Sequence, residues 1–207
     1  PASEAAVTAG PVFAGGLVIF GRSDGSLLAL SPSGQPVWEY EAKGPIRVDP
    51  VVDRGRLYFG TEDRRLYCLK ARSGKKVWSR KLQGAPTRPA LVRGGRLAVA
   101  ASNSVVYLLG RRGGSILSWQ AVSSRVVYEL SAAGPLLLVS AAVPALPVLD
   151  LRDGNLGRQY EAPGPLAAGA VWSPPFIVLA FEDEKAGLQR LMFLVPGPGR
   201  QAPRVEN

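Results

Sequence analysis

The chain has 207 residues, of which 46% are hydrophobic and 20% charged, and its net charge is +9. No apolar run is long enough for a membrane-spanning helix. The lone cysteine, Cys68, excludes an intramolecular disulfide, and the absence of histidine removes the commonest catalytic base and metal ligand. Because Cys68 lies in the alternating stretch Leu66–Leu69, we expect it to be a small buried hydrophobe rather than a reactive thiol.

The predicted strands of the first three repeats follow one another at a spacing of about ten residues, as in all-β repeat folds. Short β-branched or aromatic stretches alternate with turns that contain glycine or aspartate, and no segment has the 3.6-residue period of a helix. The predicted strands are Ala6–Phe13, Gly16–Gly21, Ser26–Leu30, Pro36–Glu41, Ile46–Val52, Arg56–Gly60, Arg65–Lys70, Lys76–Lys81, Thr87–Val92, Arg96–Ala101, Val105–Leu109 and Ile116–Ala121.

The fourth and fifth repeats are more divergent but have the same order. The Pro- and Gly-rich segment after Val195 does not predict a fourth strand for the last repeat. The predicted strands of these two repeats are Val126–Ser131, Leu136–Ala141, Leu146–Leu151, Gly157–Glu161, Ala167–Trp172, Phe176–Phe181 and Arg190–Val195.

A segment that reads GSLLALSPSGQPVW from Gly25 to Trp38 returns in each repeat, and a fixed period of this size indicates a repeat architecture. The turn glycines Gly34, Gly74, Gly114 and Gly154 are each 40 residues apart, and a weaker fifth copy has Gly199. We therefore expect an all-β fold, a β-propeller of about five four-stranded antiparallel blades with the last blade incomplete. A single domain over residues 1–207 would contain blades at about 5–43, 44–83, 84–123, 124–163 and 164–200.

Tryptophans follow the turn glycines of the first three repeats. An indole between adjacent sheets buries a large apolar area, so Trp38, Trp78 and Trp119 are predicted to pack between blades. The spacing from Gly114 to Trp119 is one residue longer than in the first two repeats. Trp172 lies off this pattern and is either a core aromatic or an exposed anchor for a partner.

The basic charge is concentrated in the second and third repeats. Between Pro45 and Arg125 there are 17 Lys and Arg residues against 4 Asp and Glu residues, a net charge of +13. This asymmetry favours an acidic partner, such as an acidic protein face, an anionic lipid surface or nucleic acid. A solvated arginine-rich surface without a partner is the alternative interpretation.

Residues at the same turn of neighbouring blades share one face of a propeller, so the second and third blades are predicted to present a basic surface. Arg47 and Arg88 lie on predicted first strands and are expected to face the central axis. No catalytic, cofactor-binding or metal-binding residue is predicted. The residues predicted to bind a partner are Arg64, Arg65, Arg72, Lys75, Lys76, Arg111, Arg112 and Trp172.

The pattern apolar–x–Tyr/Ala–Leu–x–x–x–Ser–Gly–x–x–Val–Trp, after a strand ending in Phe-Gly, resembles the repeat of pyrroloquinoline-quinone-like β-propellers. The copies at Ile19–Trp38, Leu57–Trp78 and Leu97–Trp119 match well, and the resemblance covers about Ala6 to Gly199. This family includes quinoprotein dehydrogenases and the non-enzymatic BamB-like periplasmic lipoproteins, which help to assemble outer-membrane β-barrels.

The resemblance implies a non-enzymatic scaffold for protein–protein interaction in a cell-envelope or other multi-subunit complex. Cys68 alone cannot form the adjacent cysteines of the quinoprotein enzymes, and none of their calcium, quinone or carboxylate positions can be matched. We expect no cofactor, a periplasmic or otherwise extracytoplasmic location, and a protein partner with an acidic face. An anionic envelope surface is a further candidate, whereas nucleic acid is disfavoured because Tyr58, Tyr67 and Tyr107 are predicted to be buried.

Two alternatives to this interpretation stay open. One is a degenerate quinoprotein-type or other propeller enzyme with a site in the axial channel. The other is a fragment or subunit whose ring is completed by missing blades or by another chain. Because the sequence starts at Pro1, we also expect that the chain is trimmed or has lost a signal or lipid anchor.

Overall fold

The structure is a computed structural model that describes residues 5–183 and 185–196 and the backbone of residues 204–206. All the named elements in this part of the chain are β-strands, and they form five four-stranded antiparallel sheets. Within each sheet the strands pair in sequence order. The prediction of an all-β propeller with about five blades is therefore confirmed. The described residues contain no helix that is long and apolar enough to cross a membrane.

In the first three blades, the turns between strands lie where the sequence predicts them. Blade 1 contains β1 (Val7–Ala14), β2 (Leu17–Arg22), β3 (Ser26–Leu30) and β4 (Pro36–Glu41). Blade 2 contains β5 (Val51–Asp53), β6 (Arg56–Thr61), β7 (Arg65–Lys70) and β8 (Lys76–Lys81). Blade 3 contains β9 (Leu91–Arg93), β10 (Arg96–Ala101), β11 (Val105–Gly110) and β12 (Ile116–Ala121).

The last two blades keep the same order. Blade 4 contains β13 (Ser131–Ala133), β14 (Leu136–Leu138), β15 (Ala145–Asp150) and β16 (Leu156–Glu161). Blade 5 contains β17 (Val171–Ser173), β18 (Phe176–Asp183), β19 (Leu188–Leu194) and β20 (Arg204–Glu206).

The first strand of blades 2 to 5 is shorter than the sequence predicts. β5, β9, β13 and β17 have three residues each. In blades 3 and 5 the preceding segment makes one isolated bridge, at Pro86 and Leu166, and then bends before the strand begins. The apolar side chains of these segments, including Ile46 and Val126, are buried in the cores between blades. Their apolar character therefore reflects core packing rather than a continuous strand.

Blade 5 is the least complete of the five blades at its outer edge, because its outer strand is short. β20 has three residues and pairs with β19, where Met192 lies opposite Val205. The sequence does not predict β20 because the Pro- and Gly-rich segment intervenes and three residues carry too little pattern. The fifth turn glycine, Gly199, lies outside the described residues.

Four hydrophobic clusters join consecutive blades, between blades 1 and 2, 2 and 3, 3 and 4, and 4 and 5. In the first cluster, Ile19 and Leu27 of blade 1 pack with Leu57 and Phe59 of blade 2. Full burial of such a side chain stabilises the folded chain by about 1.5–3 kcal/mol relative to leaving it exposed. The first strands of neighbouring blades also lie side by side, so they form the inner wall of the propeller.

Among the described residues, no hydrophobic cluster joins blade 5 to blade 1, so the five blades are joined in a row. The face of blade 1 that points away from blade 2 carries four half-buried apolar side chains: Val18, Phe20, Leu28 and Leu30. Their equivalents in blade 2 are buried against blade 1: Leu57, Phe59, Tyr67 and Leu69. The end face of blade 1 is thus built like an internal face, but no blade packs on it within the part of the chain that the structure describes.

Trp38 and Trp78 pack between blades, as predicted. Trp38 lies over Gly74 of the next blade, and its Nε1 donates a hydrogen bond to the Ala71 carbonyl at 3.1 Å. Trp78 lies over Gly114 in the same way. A Cβ atom at Gly74 would lie 2.7 Å from Trp38 Cε3, so only glycine permits this close approach.

Trp119 does not pack between blades, so that prediction is wrong. The residue is 65% exposed. The turn after Gly114 has the same length as the turn after Gly74, so Ser118 takes the position of Trp78: it pairs with Leu108 as Trp78 does with Cys68, and it lies over Gly154 of the next blade. A shift of one residue moves a side chain to the opposite face of a strand.

Candidate partner-binding face

The turns of the propeller lie on two opposite faces. The turn between strands one and two packs beside the turn between strands three and four, since Ala71 N donates to Gly55 O at 3.0 Å and Arg111 N to Gly95 O at 3.1 Å. We call this the arginine face, formed in blades 2 to 4 by residues 53–56, 71–76, 93–96, 111–115, 134–135 and 151–155. The turn between strands two and three lies at the other end of the strands, beside the connection between blades, and we call that end the connection face.

The arginine face carries a strong excess of exposed positive charge. Asp153 is exposed in these turns, whereas Asp53 and Asp150 are half-buried and paired with Arg111 and Arg152. Side chains of one sign that cluster on a surface attract a partner of the opposite sign. The exposed basic residues of the turns are Arg54, Arg72, Lys75, Lys76, Arg93, Arg112 and Arg152.

Five of the residues predicted to bind a partner lie on the arginine face. Arg72, Lys75, Lys76 and Arg112 are exposed there. Arg111 has a different role, because its Nη1 donates to Asp53 Oδ2 at 2.8 Å and its side chain is only 14% exposed. Arg111 therefore holds two blades together.

Arg64 and Arg65 lie on the connection face, so the structure does not bring them together with the other predicted residues. Arg64 is exposed, with a φ of 66°. Arg65 forms an ion pair with Asp63 at 3.3 Å, and Arg47 pairs with Glu62 at 2.6 Å. Because carboxylates lie beside these arginines, the connection face carries less uncompensated charge than the arginine face.

The other two tryptophans, Trp119 and Trp172, differ in exposure. Trp172 is partly buried and packs against the core between blades 4 and 5, as the core interpretation predicts. Trp119, which sequence reasoning assigned to a core, is the strongly exposed one, and Leu117 of the same strand is also exposed. The one-residue difference in glycine–tryptophan spacing is the sequence signal that identifies Trp119 as exposed.

A cavity of about 380 Å³ opens beside the inner wall of blades 2 to 4. Arg47 and Arg88 both line it, as predicted, although they lie on the connections before β5 and β9 rather than on those strands. Asp49 also lines the cavity, and its Oδ1 accepts a hydrogen bond from Gly10 N at 2.7 Å. Arg88 donates to the Val127 carbonyl. Asp49 and Arg88 therefore tie neighbouring blades together.

Cys68 is buried between blades 2 and 3, as predicted, and burial raises the pKa of its thiol. Burial also raises the pKa of the neighbouring Tyr58 to about 12. The Tyr58 hydroxyl donates to the Arg111 carbonyl at 3.3 Å. Both groups stay protonated at neutral pH. Among the described residues, no group of three or more Asp, Glu, Cys or His side chains is placed to hold a metal ion.

The family model described as "Outer membrane protein assembly factor BamB" matches residues 2–92 and 67–182. The chain belongs to this family. The BamB protein of Nitrosomonas eutropha is 27% identical over 121 residues, which are 58% of this chain and 28% of that protein. The BamB protein of Bordetella pertussis is 27% identical over 134 residues, which are 64% of this chain and 33% of that protein. The chain thus aligns with about a third of the length of these relatives.

Solved structures of low sequence identity share the fold. The crystal structure of BamB from Moraxella catarrhalis matches with a TM-score of 0.75 and 18% identity, over 93% of this chain and 59% of that one. The computationally designed Ika8 protein matches with a TM-score of 0.73 and 16% identity, over 88% of this chain and 57% of that one. At these identities the likeness concerns the propeller fold alone.

Proposed function

We propose that the chain is a non-enzymatic β-propeller scaffold that binds an acidic protein surface through its arginine face. The observation that carries this proposal is the contrast between the two faces. Exposed cations on the arginine face outnumber the carboxylates in the same turns, whereas the connection face pairs Arg65 and Arg47 with neighbouring carboxylates.

Membership of the BamB family supports a place for this scaffold in the cell envelope. The named relatives are outer membrane protein assembly factors, so we place the chain in a multi-subunit complex outside the cytoplasm. The partner is a protein of that complex rather than a nucleic acid. An anionic membrane surface is the second candidate for the same face.

The physical basis of the interaction is electrostatic. Arginine guanidinium groups form paired hydrogen bonds with carboxylates, which gives orientation as well as attraction. Complementary charge mainly raises the association rate and the specificity, and salt screens it. We therefore expect a partner that is released as the ionic strength rises. Trp172, which is half-buried, is proposed as a secondary contact.

Charge reversal on one face at a time tests the proposal. The triple variant Arg72→Glu, Lys75→Glu, Arg112→Glu changes the arginine face, and the control Lys43→Glu, Arg64→Glu, Arg125→Glu changes exposed residues of the connection face by the same charge. In pull-downs from an envelope extract at low salt, the first variant should capture at least tenfold less of a defined protein partner than the parent chain does. The control should capture as much of that partner as the parent. Equal retention by both variants, or equal loss, would contradict the assignment of the arginine face.

The enzymatic alternative stays a hypothesis. Turnover of an alcohol or sugar by the purified chain, measured with an artificial electron acceptor, would support it and would overturn the scaffold proposal.

A further inference from the structure

Equivalent turns of blades 2 and 3 carry different charges. Where β5 meets β6, Asp53 lies opposite Arg56, an attractive pair. Where β9 meets β10, 40 residues later, Arg93 lies opposite Arg96. Like charges directly opposite each other on paired strands repel. Blade 3 has therefore replaced the carboxylate of this turn by a second guanidinium.

At the boundary between blades 2 and 3, the side chains of Asp53, Arg56 and Tyr58 find hydrogen-bond partners within the chain. Asp53 accepts from Arg111 Nη1 at 2.8 Å. Arg56 Nη1 donates to the Arg112 carbonyl at 2.8 Å, and the Tyr58 hydroxyl reaches the Arg111 carbonyl at 3.3 Å. A carboxylate and a phenol of the chain itself thus complete this boundary.

The boundary between blades 3 and 4 lacks both of those groups. The residues at the equivalent positions are Arg93 for Asp53, Ala98 for Tyr58 and Leu151 for Arg111. One contact is kept, because Arg96 Nη2 donates to the Arg152 carbonyl at 3.2 Å as Arg56 does to Arg112. However, the Arg96 Nε atom is buried and has no hydrogen-bond partner among residues 5–183 and 185–196.

A cavity of about 300 Å³ lies at this boundary, and Arg93, Arg96 and Arg152 line it together with Pro135 and Leu151. The nearby carboxylate of Asp150 accepts from Arg152 Nε at 2.9 Å and forms an ion pair with the same guanidinium. A buried N–H of a charged group without a partner is costly. The cavity therefore combines the positive charges of Arg93 and Arg96 with apolar walls.

We propose that this three-arginine cavity binds the carboxylate of an Asp or Glu side chain on a protein partner, in the role that Asp53 fills one blade earlier. The guanidinium groups of Arg96 and Arg93 supply the two positive charges that attract the carboxylate. The apolar walls at Pro135 and Leu151 favour an acidic residue that is flanked by apolar ones. The proposal rests on the proposed function in taking a protein as the partner, but a peptide tests it separately.

The direct test follows the Arg96 Nε–H signal by nitrogen-15 NMR during titration. The probe is the acetylated and amidated peptide Leu-Glu-Leu-Glu-Leu, and its matched control has Gln in place of Glu. We expect the Glu peptide to shift the Arg96 signal and the amide signals of Gly94 and Leu151, with at least tenfold weaker binding of the Gln peptide. Equal binding of the two peptides, or no shift at Arg96, would overturn the proposal.

A charge variant and free anions complete the test. Arg93→Asp restores the charge pattern of blade 2 on an exposed side chain, so it should weaken binding of the Glu peptide at least tenfold while the fold is kept. Arg125→Asp makes the same change at an exposed arginine of the connection face and should leave peptide binding unchanged. Undiminished binding by Arg93→Asp, or tighter binding of inorganic phosphate than of the Glu peptide, would overturn the carboxylate assignment.

The two proposals can fail independently. If the Glu peptide binds at the cavity but the arginine-face variant retains its partner in the pull-down, only the proposed function fails. If the arginine-face variant loses its partner in the pull-down and the Glu peptide does not bind, only the proposal that the three-arginine cavity binds a carboxylate is contradicted.

Discussion

The indole of Trp78 lies against the backbone of Gly114 in the next blade, where a Cβ atom would come within 2.5 Å of Trp78 Cε3. Trp38 and Gly74 make the same contact one blade earlier. Gly114 and Gly74 also have positive φ angles of 67° and 65°. The glycine–tryptophan repeat of the sequence is therefore both a turn signal and a contact between blades.

Replacement of Gly74 by alanine should cost more than replacement of a glycine with a similar φ angle and free space. Gly55 has a φ of 74°, and a Cβ atom built on it has no other atom within 4 Å. Gly55→Ala therefore measures only the cost of a positive φ in a residue with a Cβ atom, about 1–2 kcal/mol. Gly74→Ala adds a clash with Trp38 and should lower the free energy of unfolding by about 2–5 kcal/mol. Urea unfolding of both variants measures the difference, and equal losses would show that the indole can move away.

Removal of the tryptophan side chains should separate the buried residue from the exposed one. Trp78→Ala empties a core position and should cost about 3–5 kcal/mol of unfolding free energy. Trp119→Ala removes a largely exposed ring and should cost less than about 1 kcal/mol. Denaturant titration monitored by circular dichroism tests both values. A large loss for Trp119→Ala would mean that this ring is covered in solution.

The end face of blade 1 can be probed with equivalent leucines. Leu69 is fully buried against blade 1, whereas its equivalent Leu30 is half-buried on the open face. Leu69→Ala should cost about 2–5 kcal/mol, and Leu30→Ala less than half of that, because less apolar surface returns to water. Thermal and urea unfolding of the two variants provide the comparison. Equal costs would show that another surface covers the face of blade 1.

The stability of the chain should fall in the alkaline range partly through Tyr58. Its pKa is about 12 in the folded chain and near 10 when unfolded, so the unfolded state loses this proton first and stability declines as pH rises from about 10 to 12. The decline contributed by this one group is at most about 1.4 kcal/mol per pH unit. Urea midpoints of the parent and of Tyr58→Phe between pH 9 and 11.5 test this. The variant should show the shallower decline, and parallel curves would exclude Tyr58 as the cause.

The fold could be predicted from the sequence because each blade repeats a local pattern of strands, turn glycines and indoles. The exceptions lie where one residue decides the outcome. Trp119 lies one position further along its strand than Trp78 does, which places the indole on the opposite side of the strand. Three residues are too few to reveal β20. The bends before β5, β9, β13 and β17 could not be predicted, because apolar residues that face the core give the same sequence pattern in strands and in irregular segments.

The excess of basic residues in blades 2 and 3 is evident from composition, but how these residues divide between two faces could not be read from residue counts. Consecutive turns of an antiparallel blade lie at opposite ends of the strands, which separates Arg64 from Arg72 and Arg112. The pairing of Arg111 with Asp53 joins residues 58 positions apart, so no local pattern reveals it. The three-arginine cavity had a sequence signal, since Asp53 and Tyr58 become Arg93 and Ala98 at the same repeat positions.

Site-specific cross-linking in the native envelope tests the arginine face most directly. A photoreactive benzoylphenylalanine is placed at Arg112 on the arginine face or at Arg64 on the connection face, both of which are exposed. Our account predicts one defined protein adduct from position 112 that weakens with added salt, and no such adduct from position 64. The same adduct from both positions, or an adduct from position 64 alone, would contradict it.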